Sequence, residues 1–146
     1  DGRPYVFEAY DAVRLTPLDE WIARGEGGAY VVKRLADAPA VLTADVLARM
    51  REVGSRLTGR PYDLYFEWSD DRIYCSELVW RIYERAMDLE IGALERLGDF
   101  DLSAPEVQAK IKERWGDDPP LEEPVISPAA MFASERLVEV HRHDRP

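Results

Sequence analysis

Alternating apolar and polar positions predict strands at the start of the chain. Residues 5–10 alternate and are rich in the aromatic and β-branched side chains that favour strands. Residues 12–15 are expected to pair with them as a hairpin. Thr16, followed by a proline and two nearby acidic residues, has the pattern of a helix start, and Gly25 is expected to end that helix. A β-branched run over residues 29–35 predicts a further strand.

Two longer segments have the apolar spacing of amphipathic helices. Thr43 is expected to cap a helix that runs to about residue 58, where Gly59 stops it. A second helix is predicted over residues 74–88. Its apolar side chains recur at helical spacing and share one face, which is formed by Cys75, Leu78, Val79, Ile82, Tyr83 and Ala86.

The last third of the chain carries weaker patterns. Residues 103–106 form a capping pattern for a helix that extends to Trp115. An acidic, proline-rich loop is expected over residues 117–124, then a short helix after Ser127 and a final strand over residues 137–141. Strands, then helices, then a last strand predict one α+β domain over residues 1–146, with an antiparallel sheet packed against helices.

Composition narrows the classes of function. The chain has 146 residues, of which 46% are hydrophobic and 33% are charged, as in ordinary globular domains. Its formal net charge of -10 argues against nucleic acid and anionic membrane surfaces as partners, because both select basic patches. The sequence has no run of 18 or more apolar residues, the pattern of a transmembrane helix. The charge does not exclude a lipid-like substrate that enters a cleft.

Cys75 is the only cysteine of the sequence, and it opens the helix predicted over residues 74–88. A thiol in this place lies near the positive end of the helix macrodipole and near unpaired backbone N–H groups, which favour the nucleophilic thiolate. One cysteine forms no internal disulfide and cannot by itself supply a thiolate zinc site. Two interpretations stay open: a nucleophile, or a thiol packed in the core.

A nucleophilic cysteine usually needs an imidazole base and a group that orients the base. The two histidines, His141 and His143, lie near the C-terminus, and their alternation along the last strand predicts surface positions. Neither is an attractive base. Glu8 lies in the middle of the first strand, where it is either a solvent-facing residue or an acid that orients a histidine.

Acidic and aromatic residues alternate just before Cys75. The spacing of these acidic residues defines no metal site. A polar loop is expected instead, with a helix cap at either Asp70 or Asp71. The acidic residues of this loop are Asp63, Glu67, Asp70 and Asp71. Tyr62 and Tyr74 are candidate substrate-binding residues, because their rings suit an apolar group near the thiol. Packing in the core is an equally good use of both rings.

Several motifs occur together and in order: Pro-Tyr-Val-Phe-Glu-Ala at 4–9, Leu-Thr-Pro-Leu at 15–18, Gly-Arg-Pro-Tyr-Asp-Leu-Tyr-Phe at 59–66 and Tyr-Cys-Ser-Glu-Leu-Val at 74–79. This order resembles the YiiX-like family of circularly permuted, papain-like cysteine hydrolases of the NlpC type. The resemblance extends to about Gly92 and continues more weakly beyond it. It implies a permuted papain-like fold with the nucleophile at a helix N-terminus, and no metal or organic cofactor.

The catalytic triad of that family consists of a cysteine, a histidine and an acid. The resemblance assigns the nucleophile to Cys75 and the orienting acid to Glu8. The family's histidine lies on a strand before the strand of the acid, and no residue of this sequence matches it. We therefore expect a further N-terminal strand ahead of Asp1, and the chain as given is expected to be inactive without it.

The resemblance implies hydrolysis of an amide or ester bond through a thioester on Cys75, with a cell-wall peptide, an acyl-lipid or an N-acyl-amine as substrate. Two alternatives stay open: a non-catalytic binding module of the same fold, and a structural domain with a buried, inert cysteine. A histidine encoded upstream of Asp1 would favour the enzyme. The family resemblance favours a periplasmic or exported location, and a cytoplasmic one is also compatible with a lone thiol.

Overall fold

The computed structural model describes residues 2–144 as an α+β arrangement of short strands and helices. The strands are β1 (Tyr5–Ala9), β2 (Val13–Pro17), β3 (Tyr30–Leu35), β4 (Glu95–Arg96), β5 (Pro124–Val125) and β6 (Leu137–His143). The helices are α1 (Leu18–Arg24), α2 (Ala38–Val41), α3 (Ala44–Leu57), α4 (Cys75–Met87), α5 (Pro105–Trp115) and α6 (Pro128–Phe132). Within residues 2–144, none of these helices combines the length and apolarity needed to cross a membrane.

The strands pair as antiparallel ribbons of two strands each. In the described part of the chain, β1 pairs with β2, β3 with β6, and β4 with β5. The register places Tyr5 opposite Pro17 and Ala9 opposite Val13, which confirms the predicted hairpin. The α+β class is also confirmed, but the strands do not merge into the single antiparallel sheet that we expected. One physical reason is that β4 and β5 have only two residues each, too few to extend a sheet.

The inward face of β1 packs on α3 and α4. Phe7 lies so close to Gly54 of α3 that a Cβ atom at position 54 would come within 3.1 Å of the Phe7 ring. The buried core of this region joins the hairpin to both helices and consists of Ala9, Val13, Leu57, Ile73 and Leu78. Because side chains alternate along a strand, Glu8 lies on the opposite face of β1 from Phe7.

The cap predicted at Thr43 and the helix start predicted at Ser127 are confirmed. The Thr43 hydroxyl accepts a hydrogen bond from the Val46 N–H at the start of α3, over 3.3 Å. The Ser127 hydroxyl accepts one from the Ala130 N–H at the start of α6, over 3.0 Å. Each side chain satisfies a backbone donor that has no partner within its helix.

Three other predicted caps are wrong. The capping pattern at residues 103–106 provides no side-chain cap, because Ala104 occupies the N-cap position of α5. Thr16 belongs to β2, and its hydroxyl donates to a glutamate of β1 instead of capping α1. Neither Asp70 nor Asp71 caps α4, because both lie several residues before the helix and Tyr74 occupies the N-cap position. Asp70 binds arginine side chains of α4 instead.

Helix α4 is buried on more than its predicted apolar face. Ser76, Glu77 and Arg81 are 5%, 0% and 7% exposed, although they lie outside the apolar stripe. A buried charge needs charged or hydrogen-bonded partners, and Glu77 has both. Its Oε2 accepts from the Tyr74 N–H over 3.3 Å, and its Oε1 accepts from Arg81 Nε over 2.7 Å.

Arginine side chains fasten the loop before α4 to the helix. Arg81 Nη1 lies 3.2 Å from Asp70 Oδ1, and the Arg81 guanidinium lies over the Trp68 ring, 4.4 Å from its centre. Arg85 donates to both carboxylate oxygens of Asp70, over 2.8 and 2.7 Å, and these bonds lower the pKa of Asp70. The loop that leads into Cys75 is therefore held against the helix that Cys75 begins.

We expect Glu77 to make the stability of the fold depend on pH. Burial raises the pKa of Glu77 to about 7 from an ordinary value of 4.5, so between these values the folded protein binds a proton that the unfolded chain has released. The stability that Glu77 contributes is then fully present below about pH 4.5 and is lost as the pH rises through 7. The free energy of unfolding, relative to that of a Glu77→Gln variant, should fall by roughly 1–3 kcal/mol across this range.

Urea denaturation at a series of pH values measures this difference. Glu52→Gln, which changes an exposed glutamate of α3, is the matched control. The free energy of unfolding of the wild type, relative to that of Glu52→Gln, should show no such fall between pH 4.5 and 7. A constant or rising difference for Glu77→Gln would contradict the expected burial effect.

Candidate active site around Cys75

Cys75 is the first residue of α4, and its thiol is exposed. The residues on either side of it, Tyr74 and Ser76, are 1% and 5% exposed, so the cysteine alone faces outward among the three. The first N–H groups of a helix have no partner within it and lie at the positive end of the macrodipole. The exposed position contradicts the interpretation of Cys75 as a buried, inert thiol.

Hydrogen bonds from both sides of Cys75 hold one peptide segment. The Ile126 N–H donates to the Tyr74 hydroxyl over 3.1 Å, and the Ser76 hydroxyl donates to the Ile126 carbonyl over 2.8 Å. Ile126 is fully buried, so these side chains satisfy backbone groups that water does not reach. Burial raises the pKa of the Tyr74 phenol above its ordinary value, so the hydroxyl stays neutral. We call these two bonds the Ile126 anchor.

The Ile126 anchor builds one wall of a cavity beside the thiol. The cavity has a volume of about 310 Å³, and Cys75, Tyr62 and Tyr74 line it. The rest of its wall is mainly apolar and includes Phe66, Leu97, Phe100, Val125, Ile126 and Pro128. A thiol thus opens onto a pocket that has the apolar character of small-molecule sites.

Apolar surface continues from this cavity toward α5. A second cavity, of about 360 Å³, shares Phe66 and Leu97 with the first and is lined further by Val107, Ile111 and Trp115. Arg114 lies at this second cavity, with its guanidinium 5.5 Å from the centre of the Phe66 ring. An elongated apolar group can therefore extend away from Cys75 along adjoining cavities.

Tyr62 points its hydroxyl at the cysteine. The Tyr62 Oη lies 4.0 Å from Cys75 Sγ, within reach of an O–H···S hydrogen bond. Burial, together with the neighbouring Cys75 sulfur, raises the pKa of Tyr62 to about 12. The phenol therefore keeps its proton near neutral pH and acts as a donor.

Glu8 lies in a different cavity from Cys75. Its Oε1 accepts from the Thr16 hydroxyl over 2.6 Å and from Arg24 over 2.5 Å, and its side chain is 11% exposed. The cavity around it has a volume of about 230 Å³ and is lined also by Trp21 and Ile22. The structure thus brings Tyr62 and Tyr74 to Cys75, whereas Glu8 is held by residues of β2 and α1.

The two histidines lie on the last strand, β6, as the sequence predicts, and the structure pairs this strand with β3. The Tyr30 hydroxyl is 3.2 Å from His141 Nε2, and the Tyr30 ring lies 5.4 and 5.7 Å from the rings of His141 and His143. Both histidines are exposed. Neither lines the cavity at Cys75 among the residues that the structure describes.

Two buried acidic residues near the site were not predicted. Glu77 forms the network described above, and Asp63 is also fully buried, although the sequence suggested a polar loop. Asp63 Oδ1 accepts from the Tyr65 N–H over 2.8 Å, and within residues 2–144 its buried Oδ2 has no hydrogen-bond partner. Over the same residues, no three His, Cys, Asp or Glu side chains are grouped to hold a metal ion.

Known proteins match this chain in sequence and in structure. A family described as permuted papain-like amidase enzymes, YaeF/YiiX, C92 family, matches residues 1–141. An uncharacterised protein YiiX of Escherichia coli (strain K12) is 48% identical over 138 residues, which cover 94% of this chain and 67% of that protein. The crystal structure of the metalloprotein yiiX from Escherichia coli O157:H7 has a TM-score of 0.89 and 47% identity, covering 97% of this chain and 77% of that one. The chain therefore belongs to the permuted papain-like amidases of the YaeF/YiiX, C92 family.

Proposed function

We propose that this domain belongs to a cysteine hydrolase that cleaves an amide or ester bond through a thioester on Cys75. The observation that carries the proposal is the exposed thiol at the N-terminus of α4, at an apolar cavity, in a chain of an amidase family. A thiol in such a place has the surroundings of a nucleophile.

The proposed reaction has two halves. The Cys75 thiolate attacks the carbonyl carbon, and the carbonyl electron pair moves to oxygen, which N–H groups at the start of α4 stabilise. As the C–N or C–O bond breaks, the leaving group takes a proton from an imidazolium. Water then loses a proton to that imidazole and attacks the thioester, which releases the acid and restores the thiolate.

The proposal takes the imidazole from a strand that precedes residue 1, as the family resemblance implies. Glu8 is proposed to orient this imidazole. Thr16 and Arg24 both bind Oε1 of Glu8, so the proposal assigns Oε2 to the imidazole N–H. The Arg24 contact supports the role, because it holds the carboxylate in one position.

Among the substrates that the family resemblance suggests, the cavity favours an apolar acyl group. The wall beside Cys75 is mainly apolar and continues toward α5, which suits the acyl half of an acyl-lipid or N-acyl-amine better than a polar cell-wall peptide. Tyr62 and Tyr74 line the cavity and are proposed as substrate-binding residues. The net charge of -10 disfavours nucleic acid as a partner.

We expect Cys75 to be acylated by activated esters. Acid quenching of the full-length enzyme during its first turnover of p-nitrophenyl hexanoate should trap one hexanoyl group, which mass spectrometry of peptides locates on Cys75 and hydroxylamine removes. Because the cavity is apolar, the second-order rate constant should exceed that for p-nitrophenyl acetate by about tenfold or more. N-acetylcysteine is the control thiol and should show no such preference.

A Cys75→Ala variant should lack the adduct. The proposed function fails if wild-type protein remains unacylated or if the adduct forms elsewhere. Equal rate constants for the two esters would contradict the proposed preference for an apolar acyl group.

We expect Glu8 to affect the rate rather than substrate binding. In the full-length enzyme, Glu8→Gln should lower kcat by about 10² to 10⁴-fold with little change in KM, because an amide leaves the imidazole poorly oriented. Glu52→Gln is the control and should leave kcat unchanged. Unchanged kcat in a Glu8→Gln enzyme whose unfolding midpoint shows it to be folded would remove Glu8 from the mechanism.

A further inference from the structure

Helix α5 turns an apolar stripe toward a cavity instead of a core. Val107, Ile111 and Trp115 follow one another at intervals of four residues, so they lie on one face of the helix. In the structure of residues 2–144, none of the residues of α5 is buried, and Val107 is 36% exposed. A surface helix normally hides such a stripe against the core. The stripe of α5 instead lines the second cavity.

The second cavity continues the cavity at Cys75. Phe66 and Leu97 line both cavities, so they form the border between them. Phe66 has a left-handed backbone conformation, with a φ of 56°, which is uncommon for a bulky residue and persists only where the surrounding structure holds it. Its ring meets the Tyr74 ring edge-on, with the centres 5.1 Å apart. Phe66 therefore gives the path from the thiol to α5 a fixed wall.

The volumes of the two cavities set the length of chain that each can take. A carbon-sized group needs roughly the space of a water molecule in the liquid, about 30 Å³. The cavity of about 310 Å³ at Cys75 therefore holds roughly ten such groups, including the reacting carbonyl. A longer chain has to cross the border into the second cavity, whose volume of about 360 Å³ provides a similar capacity.

We propose that the second cavity is the distal half of the acyl site, and that the substrate carries a long acyl chain, of about twelve carbons or more. This inference rests on the proposed function. The carbonyl carbon lies at Cys75, the chain crosses the border at Phe66 and Leu97, and its end lies along the stripe of α5. The continuity of the two cavities identifies a substrate chain as the occupant, because the same molecule reaches both. Each methylene buried in this way strengthens binding by roughly fourfold.

The test adds one carboxylate to the stripe. Wild-type full-length enzyme and its Ile111→Glu variant are compared with p-nitrophenyl hexanoate and with p-nitrophenyl dodecanoate, the latter below the concentration at which it aggregates. The kcat/KM of the wild type should be about tenfold or more higher for the dodecanoate. Ile111→Glu should lose this preference, because the chain end would desolvate a charge. Its kcat/KM for the hexanoate should stay within about twofold, since a hexanoyl group fits in the cavity at Cys75.

Ala109→Glu is the matched control. It adds the same charge to the same helix, at an exposed residue that is not among the described residues lining these two cavities. It should keep the preference of the wild type for the dodecanoate. Val107→Glu is a second variant of the stripe, at a position exposed enough to accept a charge, and should act as Ile111→Glu does. It provides the same test if Ile111→Glu does not fold.

Binding without chemistry gives a second measurement. In full-length protein that carries Cys75→Ala, dodecanamide should bind about tenfold or more tightly than hexanamide. Addition of Ile111→Glu should remove this difference, whereas addition of Ala109→Glu should not.

The outcomes separate this inference from the proposed function. Equal kcat/KM values of the wild type for the two esters, or a preference that survives in both variants of the stripe, would overturn the inference and leave a hydrolase for shorter acyl groups. Equal values are also the result if another segment of the full-length protein covers the stripe in place of a substrate. Absence of acylation of the wild type by both esters would instead overturn the proposed function itself.

Discussion

Two hydrogen bonds to the backbone of one buried residue hold the site together. Tyr74 accepts from the Ile126 N–H and Ser76 donates to the Ile126 carbonyl, so the neighbours of Cys75 on both sides bind the same peptide segment. Each bond adds only about 1 kcal/mol to stability, but a buried group left without its partner costs about 1–3 kcal/mol. The cavity wall and the start of α4 are therefore coupled and do not shift separately.

The Ile126 anchor also accounts for the exposure of the thiol. The side chains of Tyr74, Ser76 and Glu77 turn inward to partners, and Cys75 is left facing the cavity. Farther along the helix, Arg81 joins Glu77 to the loop before α4. The side chains of Tyr74, Ser76 and Glu77 are buried and hydrogen-bonded, whereas Cys75 remains open to solvent. Such a division between support and reactive group is what a preorganised site requires.

Local signals in the sequence predicted the elements but not the contacts between them. Contacts between residues a few positions apart form the caps at Thr43 and Ser127 and the hairpin of β1 and β2. The local sequence pattern is therefore enough to predict these features. The helix of Cys75 was predicted for the same reason. In the Ile126 anchor, Ser76 and Tyr74 bind a residue that follows them by 50 and 52 positions. They bind its backbone, so the side-chain type at position 126 does not reveal the contact. The burial of Glu77 likewise depends on tertiary partners, and an amphipathic pattern places it on the solvent face.

Amide hydrogen exchange at Ile126, followed by NMR, tests this account most directly. Because the Tyr74 hydroxyl accepts the hydrogen bond of this amide, the Ile126 N–H should exchange slowly in the wild-type protein. Tyr74→Phe should accelerate its exchange by about tenfold or more, while the Leu78 amide, which donates to the backbone carbonyl of residue 74, keeps its protection. Rapid exchange of Ile126 in the wild-type protein, or no effect of Tyr74→Phe, would contradict the Ile126 anchor as the constraint that holds the site.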